Sequence, residues 1–161
     1  MTWDTSHAHF TVGSFLGEMI ESTEREITSA ITDLCQQRPN SKAKHSTRDA
    51  TEKALRAFLA HCANLTHDRA KTHFGHKLDR LVQEVERQRP QSPMMDVANK
   101  LDVFAPYDSR YSSTSYTRPQ LWRAYQLCQF TAAEMVRSIT GRNQRSTVQS
   151  LPVFSDAWRL G

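Results

Sequence analysis

Glycine is the first scarcity in this chain: 161 residues carry only five, and none falls in a cluster able to cradle a phosphate. A glycine-rich nucleotide loop, a G-x-S-x-G elbow and a dinucleotide fingerprint are all missing. Facing carboxylates are missing too, because Glu84 and Glu86 stand two apart on a helical stretch, where side chains point different ways. General acid–base chemistry therefore lacks its partners, and the chain is expected to have no catalytic residues and no cofactor. Cysteine is sparse and odd in number: Cys35, Cys62 and Cys128 lie far apart. That excludes a disulfide framework and predicts reduced core thiols in a cytosolic setting. No apolar run approaches the roughly 20 residues of a membrane span. The first residues, Met1-Thr-Trp-Asp-Thr-Ser-His7, have neither the basic start nor the apolar centre of a cleaved secretion signal, so neither membrane nor secretion is expected.

What the chain does have is the material for one helical domain. Its length suits a single domain with a real core, and 38% hydrophobic residues are too many for wholesale disorder. Segments rich in Ala, Glu, Arg and Gln favour helices over a sandwich or barrel. The predicted fold class is all-α, a bundle of about four main helices over 1–161, with an N-terminal arm at 1–13, helices over 14–104, a polar loop at 105–118, a main helix at 119–140 and an irregular tail at 141–161. A net charge of +4 permits nucleic acid as a partner without requiring it.

In chain order, the first helix is expected after Ser14, with Leu16, Ile20, Ile27, Ile31 and Leu34 on one face and Glu18 near its start. Ser41 to His45 reads as a basic surface turn. A second helix is expected from Ser46 or Thr47, capped by Ser46 with Asp49, burying Ala54, Leu55, Phe58, Leu59, Cys62 and Leu65. Gly75 predicts a kink or break before a stripe of Leu78, Leu81, Val82 and Val85, which Pro90 ends. A short helix is expected from Asp96 as N-cap to Phe104. The main helix should be capped by Thr117, carry Pro119 in its first turn and close at Gly141, burying Leu121, Tyr125, Cys128, Ala132, Met135 and Ile139.

Three clusters invite a functional reading. His73, His76 and Asp79 place three ligand types at helical spacing, but no accompanying metal motif supports a site and surface histidines explain them as well. Cys62 beside His61 and His67 invites a thiolate, against which stands its place on an apolar stripe. The third cluster is the stretch from Tyr107 to Arg145. Arg110, Arg118 and Arg123 alternate there with Tyr111 and Tyr116, and arginine with aromatic is the chemistry of phosphate contact and base stacking. Tyrosines that merely pack a loop are the plainer alternative.

The order of these parts resembles the coat proteins of rod-shaped plant RNA viruses of the tobacco mosaic virus type. The resemblance lies in Ile31-Thr-Asp-Leu-Cys35 closing a helix, a helix from Ser46, Phe104 followed by Asp108-Ser-Arg110, Glu134-Met-Val-Arg137 near the end of the long helix, and Arg145-Ser-Thr-Val148-Gln149 before a C-terminal tryptophan. Met1-Thr-Trp3 with Ser6-His7 and Phe10 resembles a benyvirus-type coat start, and Glu26-Ile-Thr28 through Pro39 a tobravirus-type first helix. Departures are the long hairpin from Ser46 to Arg89, the short inner loop and Val148-Gln149 for Phe-Glu. A helical-hairpin capsid of the hepadnavirus type is a second likeness, carried by Ala54-Leu55-Arg56 to Cys62.

The resemblance implies a capsid protein that self-assembles in many copies, packages single-stranded RNA, and is found in the virion and host cytoplasm. RNA would meet Arg110, Arg118, Arg123, Tyr111 and Tyr116; neighbouring subunits would meet Trp3, Phe10, Phe154 and Trp158, which otherwise close the chain's own core. The alternatives are a small helical protein that binds double-stranded RNA, such as a silencing suppressor, and a protein–protein adaptor.

Overall fold

The computed structural model describes residues 14–36, 42–107 and 115–141, and every regular element among them is helical. Helix α1 spans Phe15–Leu34. Ser14 caps it, its hydroxyl accepting from the Gly17 amide at 3.1 Å and satisfying one of the amides that a helix start leaves open. Of the predicted stripe, Ile27 and Leu34 are buried, while Leu16, Ile20 and Ile31 are partly buried at its edge.

Helix α2, Lys42–Ala63, is the centre of the molecule, packed against α1 and against the helical segments Leu78–Gln88 and Arg118–Thr140. It starts earlier than expected. Residues 42–45 are not a surface turn but its first turn, and Ser46 is an interior position rather than a cap. The cause is that α2 is covered on several sides, so its polar first half is buried with its apolar second half: Lys44, Ser46, Thr47, Arg48, Thr51 and Glu52 are all buried. Short hydroxyl side chains make this tolerable by bonding within the helix, Thr47 to the Lys44 carbonyl and Thr51 to the Thr47 carbonyl, each at 2.8 Å. Alanines at 43, 50, 54 and 57 are essentially inaccessible and let the neighbouring helices approach closely. The predicted apolar positions Ala54, Leu55, Phe58 and Leu59 are buried as well, with Leu65 just beyond; Cys62 is only partly covered.

A short helix α3, His67–Arg69, capped by Thr66, runs on as a π turn, Ala70–Phe74. Gly75 breaks the chain direction with φ +50° and ψ −133°, a backbone conformation that a side chain disfavours. Helix α4, Leu78–Gln88, then buries Leu78, Leu81, Val82 and Val85, the stripe expected of it. A 3-10 helix follows at Pro93–Val103. Ser92 caps it, accepting from the Met94 amide at 3.3 Å, and Asp96 is an exposed residue of its first turn rather than the N-cap. Helix α5, Arg118–Thr140, has both expected ends: a Thr117–Gln120 capping box and Gly141 in the left-handed conformation at φ +68°. Leu121, Tyr125, Cys128, Ala132 and Met135 face the core; Ile139 lies at its edge. Among the described residues no helix is long and apolar enough to cross a membrane.

Candidate nucleic-acid interface

The start of α5 meets the end of α1 and the start of α2. Arg118, the first residue of α5, donates from Nη2 to the carbonyl of Gln36 at 3.0 Å, just past the last turn of α1, where carbonyls lack helical partners. Tyr116, two residues earlier, lies beneath the Lys44 ammonium at 4.1 Å, a cation–π contact that offsets part of the cost of burying Lys44. That burial lowers the Lys44 pKa, with Asp102 pulling the other way. Three helix ends and several cations thus share one end of the bundle.

The local sequence of α5 is unusual for a helix start. Acids are favoured there, because the aligned peptide dipoles leave positive potential at the N-terminus. Instead Arg118 and Arg123 occupy the first two turns, and the first carboxylate of the helix is Glu134. Both arginines are exposed, and between them Trp122 stands 46% exposed. Positive side chains at a positive helix end are a local electrostatic conflict, which a bound anion would relieve.

A second polar cluster lies one step further along α2. Glu52 takes Arg56 at 2.7 Å and Arg48 at 3.3 Å, and His76 Nδ1 lies 3.2 Å from the same carboxylate. The two guanidinium groups continue outward, Arg48 to the carbonyl of His76 and Arg56 to that of Gly75. Tyr107 closes the cluster, stacked on His76 at 4.2 Å between centroids and covering Arg48 at 5.3 Å. With both oxygens held by cations, Glu52 is a counter-ion that ties the Gly75 turn to α2, not a free base.

The sequence-predicted site residues fall in different places. Arg118 and Arg123 both fall on the first two turns of α5, five residues apart and so on different sides of the helix. Tyr116 is half-buried with Lys44 on its ring, so that face is taken. Arg110 and Tyr111 lie outside the described residues, as do Trp3, Phe10, Phe154 and Trp158. The break at Gly75 separates His73 from His76 and Asp79, so the three do not share a helical face. Among the described residues no group of three His, Cys, Asp or Glu side chains could hold a metal ion. Cys62 sits partly covered with its thiol pKa pushed up, chiefly by burial, the opposite of an activated nucleophile. The expectation of three core thiols is also corrected, since Cys35 lies past the end of α1 and is exposed.

Sequence reasoning misses two things. Trp122 escapes it because Leu121 beside it carries the apolar stripe; the available signal is a large aromatic one position off that stripe, flanked by arginine. The Arg48–Glu52–Arg56 run escapes it because charges at spacings of four normally mark a solvated face.

No family model, curated protein or solved structure matches the chain.

Proposed function

We propose that this chain is a viral coat protein that self-assembles, in a helical array, and packages single-stranded RNA against the arginine-bearing end of its bundle. The observation that carries the reading is the acid-free first half of α5, where exposed Arg118 and Arg123 flank an exposed indole. Guanidinium groups neutralise phosphates regardless of sequence, and contacts of that kind position a strand without specifying it, as packaging a whole genome demands. Arg110 and Tyr111, which lie outside the described residues, belong to the proposal as further RNA contacts on the resemblance alone.

Between α1 and α5 lies only a shallow dent lined by Ile20, Thr23, Glu24, Ile27, Ala132, Met135 and Val136, most of them already buried in the core, so the assembly part of the proposal rests on the resemblance to rod-shaped coat proteins. In such an assembly one copy meets the next with a different face of its own, a heterologous contact whose repetition builds an open helix when the rotation does not close. Trp3, Phe10, Phe154 and Trp158 would add to those subunit contacts.

Negative-stain microscopy of the purified protein, with nuclease treatment and absorbance at 260 nm, tests the proposal. Rods, discs or rings carrying protected RNA are expected. A monomer free of nucleic acid that also fails to assemble when RNA is added would overturn it.

A further inference from the structure

Among the described residues two large apolar side chains stand out into solvent, Tyr107 and Trp122. Tyr107 already has ring partners in His76 and Arg48. Trp122 differs. Its inner side rests on Tyr125, with centroids 5.7 Å apart and planes inclined by 31°, and Tyr125 is itself buried and fixed by a 3.0 Å hydrogen bond from Gln129 Nε2 to its hydroxyl. The indole is therefore held from beneath, while nearly half its surface faces water. Holding a large aromatic surface in water forfeits the burial it would gain in the core, and this indole stands beside guanidinium groups on a helix start that has no carboxylate.

The surroundings indicate which ligand. Arg118 lies one helical turn before Trp122 and is steadied by the Gln36 carbonyl at 3.0 Å. Arg123 is the next residue and is exposed, with no ion pair among the described residues. The helix carries no carboxylate before Glu134. An aromatic plane with one arginine a helical turn before it and another at the next residue complements a strand that alternates flat bases with phosphates.

We propose that Trp122 is the stacking platform for one unpaired RNA base, with Arg118 and Arg123 contacting the phosphates on either side. The proposal rests on the reading of the chain as an RNA-packaging protein and adds its selectivity. Every base has a π-face, so the platform tolerates any sequence, but a duplex keeps those faces stacked on each other and cannot offer one. Trp122 thereby makes the surface prefer single strands, which the arginines alone would not do.

The test uses the full chain and a labelled 12-mer, as single-stranded RNA and as duplex, with binding read by fluorescence anisotropy at two salt concentrations. Trp122→Ala should weaken single-strand binding about tenfold, Trp122→Phe should restore most of it, and duplex binding should not change. In a Trp3→Phe, Trp158→Phe background, where Trp122 is the remaining indole, single-stranded RNA should quench the fluorescence. Single-strand binding by Trp122→Ala equal to that of the parent overturns the platform and leaves the packaging proposal standing. A parent chain that binds neither RNA overturns both. If Trp122→Ala instead changes the sedimentation of the protein without RNA, the indole belongs to a subunit contact and the platform is likewise overturned.

Discussion

At the scale of single residues, Glu52 is the most consequential side chain outside the apolar core. It is the counter-ion of two arginines in a region where Arg48 and Glu52 are each less than a tenth exposed. Removing one member of a buried ion cluster leaves the others charged and unpaired, at a cost of about 3–5 kcal/mol. Glu52→Gln should therefore lower the urea midpoint by that equivalent, whereas Glu84→Gln, whose carboxylate pairs with an exposed Arg87, should cost less than about 1 kcal/mol. Cys128 offers a pH test. Complete burial pushes its thiol from 9.0 up to about 12. Between those values the unfolded chain gives up the proton and the native chain keeps it, so stability is unaffected below the lower value and falls as pH rises toward the upper one. The slope approaches about 1.4 kcal/mol per pH unit, and Cys128→Ala should flatten it in urea titrations between those limits. With a thiol reagent at neutral pH, exposed Cys35 should react first and Cys128 only at the rate of unfolding.

At the scale of elements, the break at Gly75 and the start of α5 are the joints that position everything else. Gly75→Ala meets nothing within 4 Å, so its cost is backbone strain alone, on the order of 1–3 kcal/mol at φ +50° and ψ −133°. Thermal denaturation should show it, together with slackening of the Arg48 and Arg56 bonds to this turn. Three helix ends are legible in the sequence: Ser14, Thr117 and Gly141 stand where their chemistry puts them. The stripes of α4 and α5 are legible because apolar residues recur there at helical spacing. The start of α2 is not. Lys42 to Glu52 is polar, and sequence pattern equates polar with exposed; only the packing of other helices around α2 buries Lys44, Arg48 and Glu52. The 3-10 helix escapes for a related reason, since Pro93 and the Ser92 cap set its start ahead of the more conspicuous Asp96. The arginines of the candidate site are visible in sequence, but not the exposure of Trp122 beside them, which depends on the rotation of α5 against its neighbours.

At the scale of the whole molecule, the folding of the bundle and the charge at its end should be separable. Arg118 and Arg123 are exposed; replacing them gives up the Arg118 bond to the Gln36 carbonyl but relieves repulsion at the helix start, opposing effects of about 1 kcal/mol each. Arg118→Gln with Arg123→Gln should therefore unfold close to the parent midpoint, whereas Thr117→Ala, which removes the cap of the same helix, should lose about 1 kcal/mol. Binding should follow the opposite order. On the packaging proposal each arginine releases counterions from single-stranded RNA, so the double variant should lower the slope of log affinity against log salt by about 1.4, or ~0.7 for each phosphate no longer neutralised. Thr117→Ala should leave that slope alone. If the double arginine variant bound RNA with the parent's slope, the end of the bundle would not be where phosphates lie. If it failed to fold, the Arg118 bond to the Gln36 carbonyl would be what holds α5 against α1, and the arginine would serve packing rather than an anion. The pair of variants thus separates a surface shaped by ligand from one shaped by packing.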